Sequence, residues 1–140
     1  MNFTRIALAA LGSSAAYFIL GGLMFVMFPG LKREVLKYPA IYRSEDGIKS
    51  KMPLAMASIF LEIVVLAVIY SMLYQGGSGV AEGARFGVLI GVFSVCSFAI
   101  HNYVNLNIGG KITIQQSVAY FAQWLTVGIV IGLIYRPSAL

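Results

Sequence analysis

Apolar residues fall into four long blocks, separated by short stretches rich in glycine or polar residues. Each block comes close to the roughly 20 residues that an α-helix needs to cross a hydrocarbon core about 30 Å thick. The blocks predict helices over 6–28, 54–74, 84–104 and 112–135. Because lipid cannot hydrogen-bond the backbone, each block is expected to be helical. The pattern therefore predicts an all-α fold: one integral membrane domain over 1–140, a four-transmembrane-helix bundle with short connections.

Helix-breaking residues mark most of the predicted ends. Pro29 and Gly30 close the first helix, Pro53 opens the second, and Arg136 with Pro137 ends the fourth. The first block is longer than the core of about 7–15 apolar residues found in a signal peptide, so it is expected to remain as a helix. Composition agrees with a membrane protein, because only 11% of residues are charged against about 25% in soluble domains.

Basic residues lie unevenly on the two sides of the predicted bundle. Seven of the ten lie in the first and third connections, and the other three are near the opposite ends of the helices. Cytoplasmic loops are enriched in Lys and Arg, which predicts a cytoplasmic first loop and both termini outside. In that loop, the candidates for contact with anionic lipid or a partner are Lys32, Arg33, Lys37 and Arg43. The alternative is that these residues only fix topology, and the high pI then gives no reason to expect nucleic-acid binding.

Ionisable residues inside a bilayer are costly and often functional, and two occur in the predicted spans: Glu62 and His101. At 1.5 Å per residue, Glu62 lies about 12 Å from the basic surface. Helical spacing predicts one polar face from Ser94 through Ser97 and His101 to Asn105. We expect a pocket that opens to the cytoplasm, with Glu62 at its floor. Its predicted members are Glu62, His101, Gln123, Tyr17, Asn102, Asn105 and Ser97. The alternative is that these groups bond across helices as structural contacts, worth about 0.6 kcal/mol each.

Glycines repeat every four residues on two of the predicted helices. They are Gly83, Gly87 and Gly91 on the third helix, and Gly128 and Gly132 on the fourth. Such spacing lets helix backbones approach closely, either within the bundle or against another subunit.

Few residues could support catalysis. A single histidine makes a metal centre held by protein ligands alone improbable. The single cysteine, Cys96, is expected to be buried in mid-helix, and it excludes an internal disulfide. Neither a catalytic set nor a metal site is predicted, and no cofactor is indicated beyond one possible axial bond from His101 to a pigment or haem.

The segment HNYVNLNIGGKITIQQSVAYFAQW, residues 101–124, resembles small uncharacterised bacterial four-helix integral membrane proteins. Several of those have a Tyr-x-x-Asn pair, a short turn and a last helix containing Trp. Asn102, Asn105 and Trp124 are the matching positions, whereas Tyr103 is out of register with that pattern. The resemblance covers about the last third of the chain. It implies a bacterial cytoplasmic (inner) membrane and carries no activity with it.

The sequence leaves three functional hypotheses open. The first is a non-catalytic accessory or structural subunit of a larger membrane complex, associating with other subunits or with itself. The second is a small oligomeric transporter or proton-linked carrier that uses Glu62. The third is a pigment- or haem-associated subunit in which His101 is the axial ligand.

Overall fold

The computed structural model describes residues 1–136, and all regular structure in that range is helical. Four helices are long and apolar enough to cross a membrane, as predicted, and the chain is a multi-pass membrane protein. A short fifth helix, outside the apolar spans, comes directly after the first of them. The helices are α1 (Phe3–Met27), α2 (Pro29–Leu36), α3 (Glu45–Leu73), α4 (Gly79–Asn105) and α5 (Gly110–Ile134). Pro137, predicted to help end the last helix, lies outside the described residues.

α3 begins well before the apolar block that predicted it. The side chain of Ser44 accepts a hydrogen bond from the Gly47 N–H, and Glu45 and Asp46 occupy the first turn, where acidic groups favour a helix. Pro53 was expected to open this helix and lies inside it instead. Its missing N–H leaves only the carbonyl of Lys49 without a helical partner, and that residue is exposed. The proline is therefore tolerated in a part of the helix that water can reach.

The first connection is partly helical. Pro29 comes after the end of α1 but begins α2, in the first helical position where a proline loses no hydrogen bond. α2 ends before Pro39, which lies in the turn leading to α3. The 28–44 segment is thus a folded element rather than a loose loop.

α5 is the central helix of the bundle. It packs against α1 on one side and α4 on the other, whereas α3 packs mainly against α1. The buried core accordingly lies along α1 and α5, and α3 is peripheral. The buried residues of α3 are Ile63, Ala67, Tyr70 and Ser71.

Glycines make the α4–α5 contact close. A Cβ atom at Gly83 would overlap the Gly128 carbonyl oxygen, and one at Gly87 would lie 2.7 Å from the Leu125 carbonyl oxygen. A Cβ at Gly132 would equally meet the backbone of α4. Both rows of glycines are therefore used inside this chain, where they bring two backbones together.

Candidate binding cleft between two spans

A cleft of about 640 Å³ separates α3 from α4 in the membrane-spanning part of the molecule. It forms because α3 rests on α1 and α4 rests on α5, which leaves the two helices apart. Leu61 and Val65 of α3 face Phe93 and Phe98 of α4 across it, and Trp124 of α5 forms part of its lining. A cavity of this volume is within the range of about 300–1,000 Å³ typical of small-molecule sites.

Three polar side chains interrupt the apolar lining. Ser58 and Glu62 lie one helical turn apart on α3, and Ser94 lies opposite on α4. None of the ion pairs within residues 1–136 includes Glu62, and its side chain is exposed to the cleft. The hydroxyl of Ser94 is buried and has no hydrogen-bond partner in the same range. The cleft thus presents the carboxyl group of Glu62 and the hydroxyl group of Ser94, neither of which has a partner among residues 1–136.

Tyr17 and Gln123 lie deep in the bundle. Tyr17 of α1 is buried and its ring packs on Trp124, with ring centroids 5.2 Å apart. Trp124 lines the cleft that contains Glu62. Gln123 is also buried, and its amide occupies the space left by Gly21, where a Cβ would lie only 2.7 Å from Nε2. Tyr17 therefore contacts a residue of the cleft lining without lining the cleft itself, whereas Gln123 fills the α1–α5 contact.

The predicted polar face of α4 does not stay together. Residues Val95–Ile100 form a π-helical turn, which takes more residues than an α-helical turn and so rotates the two parts of α4 relative to each other. Ser94 is consequently buried and Ser97 half-buried, whereas His101 and Asn105 are exposed. Asn102 is half-buried, and the Asn105 amide bonds the His101 carbonyl oxygen of its own helix. These four residues from Ser97 onward are not among those lining the cleft.

His101, the candidate axial ligand for a pigment or haem, is exposed on the surface of α4. It lines neither this cleft nor the smaller cavity near the end of α1. Within residues 1–136, no three of the His, Cys, Asp and Glu side chains group closely enough to hold a metal ion. Cys96, expected to be buried, is exposed on the surface of α4.

The basic connection is folded onto the end of the bundle. The Tyr38 hydroxyl accepts a hydrogen bond of 2.8 Å from the Gly109 N–H, and the Gln116 amide donates to the Tyr42 hydroxyl at 3.2 Å. These bonds tie the α2–α3 turn to the start of α5. We call residues 28–44, together with residues 106–111, the basic cap.

A buried carboxylate organises the charges of the basic cap. Glu34 is 5% exposed, and its Oε1 contacts the ammonium groups of Lys37 at 2.7 Å and Lys111 at 3.0 Å. Hydrogen bonds from these two lysines, Lys37 first, hold the pKa of Glu34 below its usual range. Lys32 pairs with Glu45, whereas Arg33 and Arg43 have no acidic partner among residues 1–136. The predicted lipid-contact residues thus divide into two with internal partners and two directed to the surroundings.

Of the eleven residues that line the cleft, only Glu62 is among the predicted pocket members. The others include Ser58 and Trp124, which contribute a hydroxyl group and an aromatic ring to the lining. Ser58 precedes Glu62 by four residues, a spacing that places both on one helix face and could have identified it. Trp124 gave no comparable signal, because its position depends on which helices are neighbours.

Comparison with known proteins gives no further assignment. No protein-family model, no curated protein and no solved structure matches this chain.

Proposed function

We propose that the protein is a small membrane carrier that binds a lipophilic cation in the α3–α4 cleft, with Glu62 as the counter-ion. The observation that carries this proposal is the carboxyl group of Glu62, which has no ion-pair partner within residues 1–136 and lies in a cleft of about 640 Å³ whose lining is apolar apart from Ser58 and Ser94. A charged side chain in this setting is expensive and is usually retained for a partner or a pathway. A cation of matching size would supply that partner.

The aromatic residues of the cleft support a cationic ligand. Phe93, Phe98 and Trp124 all line it, and the faces of aromatic rings attract cations, Trp most strongly. Aliphatic residues supply the rest of the apolar surface that a lipophilic molecule needs. A carboxylate combined with aromatic rings suits an organic cation better than a neutral lipid chain, which would leave the carboxyl group unpaired.

Glu62 also supports proton coupling. One carboxylate can bind a proton or neutralise a cation, and the proton and the cation compete for its negative charge. Acidic residues in membrane spans commonly act in proton-linked transport for this reason. The carrier we propose therefore exchanges a bound cation for a proton at Glu62, and its apparent affinity for the cation falls as the proton concentration rises.

Trp124 provides a direct test because it is the single tryptophan of the chain and lines the cleft. Purified protein in detergent is titrated with tetraphenylphosphonium, and the fluorescence of Trp124 is followed. We expect a saturable change in the wild type and an affinity at least about tenfold lower in Glu62→Gln, equivalent to about 1.4 kcal/mol.

Glu82→Gln is the matched control. It makes the same chemical change on α4, at a residue outside the cleft whose carboxylate accepts a hydrogen bond from the Gly77 N–H. It should leave the affinity unaltered. A wild type without a saturable signal, or equal affinities in wild type and Glu62→Gln, would contradict the proposal.

The peripheral position of α3 favours a second candidate, an accessory subunit of a larger membrane complex. Only four residues of α3 are buried, so a partner could cover its outer face and close the cleft. The glycine rows do not support this candidate, because they are occupied within the chain. The accessory-subunit candidate would be favoured over the carrier by two results together. A partner protein would co-purify in mild detergent with the wild type but not with Glu62→Gln, and the isolated protein would bind no cation.

We infer further that the protein lies in a bacterial cytoplasmic membrane with the basic cap inside and both termini outside. The support is the seven basic residues at the capped end, against three at the other. The resemblance of residues 101–124 to bacterial four-helix membrane proteins supports the choice of membrane.

A further inference from the structure

A second cavity, of about 170 Å³, lies where the end of α1, the start of α2 and the first half of α5 meet. We call it the cap crevice. Its apolar walls are Met24 of α1, Phe28 between α1 and α2, Leu31 of α2, and Ile114 and Val118 of α5. Its volume is below the range of about 300–1,000 Å³ that encloses a whole small molecule. It is suited to one part of a longer apolar chain, the rest of which remains in the bilayer.

Lysines lie close in sequence to lining residues of this crevice on two helices, although none of them lines it. Lys32 is next to Leu31 in the chain, and Lys111 lies one turn before Gln115, a further lining residue, on the same face of α5. Both side chains are accessible, with Lys111 69% exposed and Lys32 47% exposed. The apolar crevice therefore lies beside positively charged groups that can reach the membrane surface.

The charges near the crevice do not cancel. Lys37 and Lys111 both contact the same oxygen of Glu34, so two ammonium groups share one carboxylate. Lys32 has its own partner in Glu45, but Arg33 beside it has none within residues 1–136. The surplus is positive and complements a phosphodiester, which carries one negative charge.

We propose that the cap crevice binds one anionic phospholipid, with part of an acyl chain between α1 and α5 and its phosphate against Lys111 and Lys32. Gln115 lines the crevice, and its Oε1, buried without a partner in the described chain, can accept a hydrogen bond from a hydroxyl group of a glycerol headgroup. This site is separate from the α3–α4 cleft, and it stands whether or not the cleft binds a cation.

The test compares phosphatidylglycerol with phosphatidylcholine of identical acyl chains, added to the delipidated protein and counted by native mass spectrometry. We expect phosphatidylglycerol to bind at least about tenfold more tightly. Lys111→Gln should weaken phosphatidylglycerol about fivefold, the effect of one basic residue near a membrane surface, and leave phosphatidylcholine unchanged. Lys111→Arg keeps the charge and should retain the preference.

Two further variants separate a defined site from general attraction. Arg85→Gln removes one positive charge from α4, outside the cap crevice, and should leave both affinities unchanged. Ala119→Leu fills the crevice, which Ala119 lines, and should weaken both lipids. Equal binding of the two lipids by the wild type would overturn the proposal. An equal loss of phosphatidylglycerol affinity in Arg85→Gln and Lys111→Gln would also overturn it. So would unchanged affinity for both lipids in Ala119→Leu.

Discussion

Two buried serines show how strongly the contribution of a hydroxyl group to stability depends on whether it has a hydrogen-bond partner. Ser13 of α1 is fully buried and donates a hydrogen bond of 3.4 Å to the Val127 carbonyl oxygen of α5. Ser94 of α4 is 3% exposed and its hydroxyl bonds nothing in the described chain. An unsatisfied buried polar group costs free energy, whereas a bond between helices returns some.

Replacing each serine with alanine should therefore change stability in opposite directions. Ser94→Ala is expected to raise the free energy of unfolding by about 1 kcal/mol, because it removes an unpaired hydroxyl. Ser13→Ala should lower it by about 0.6 kcal/mol, the mean value of a hydrogen bond between membrane helices. Unfolding in mixed detergent micelles measures both. A loss of stability in Ser94→Ala would show that its hydroxyl has a partner in the membrane.

Among single residues, the sequence singled out Glu62 but not the other residues that line the cleft around it. Glu62 stands out because a charge in an apolar span is costly wherever the neighbouring helices lie. Ser94 was placed on a face with His101 by counting 3.6 residues per turn. The π-helical turn between them broke that count, since nothing in Val95–Ile100 marks the wider turn. The cleft itself depends on which helices pack together, which single-helix patterns do not contain.

Among the elements, the contact between α4 and α5 depends most on the absence of side chains. A Cβ at Gly87 would lie 2.9 Å from the Leu125 Cα as well as 2.7 Å from its carbonyl oxygen, and backbone atoms cannot rotate away. Gly22 of α1 has nothing within 4 Å of the same position. The two glycines thus offer a matched comparison in two membrane helices.

Gly87→Ala should lower the free energy of unfolding by about 1–3 kcal/mol, the usual cost of overpacking a close contact. Gly22→Ala should be neutral or stabilising by up to about 1 kcal/mol, because alanine restricts the unfolded chain and favours a helix. Reversible unfolding of both variants in the same micelles gives the difference. Equal effects would mean that α4 and α5 are held apart in the membrane.

Apolar length predicted the number of spans correctly and the last residue of each span to within one residue, but not where α3 and α4 begin. The hydrocarbon core sets a minimum apolar length, and the four blocks meet it. A helix can extend beyond the hydrocarbon core into water, where polar residues replace apolar ones. α3 does this at its start, because it begins at Glu45. Pro53 suggested a beginning because proline usually stands at one. The cap at Ser44 and the acidic first turn outweighed that signal.

For the whole molecule, the inferred orientation can be tested by labelling with an impermeant thiol reagent. On a Cys96→Ala background, Ser50→Cys places a thiol at the capped end and Ser78→Cys places one in the α3–α4 turn, both at exposed positions. In intact cells, Ser78→Cys should react and Ser50→Cys should react only after permeabilisation. The reverse pattern would place the basic cap outside.

The central position of α5 has a consequence for synthesis. α5 is the last of the four spans in the chain, yet it provides most of the contacts that hold α4 in place and a large share of those of α1. Until α5 enters the membrane, the glycine face of α4 has lipid as its neighbour and the cap lacks its anchor at Gly109 and Lys111. Assembly of this bundle is therefore completed after translation of the first three spans rather than alongside it, and a ribosome stalled before α5 would leave α4 free in the bilayer.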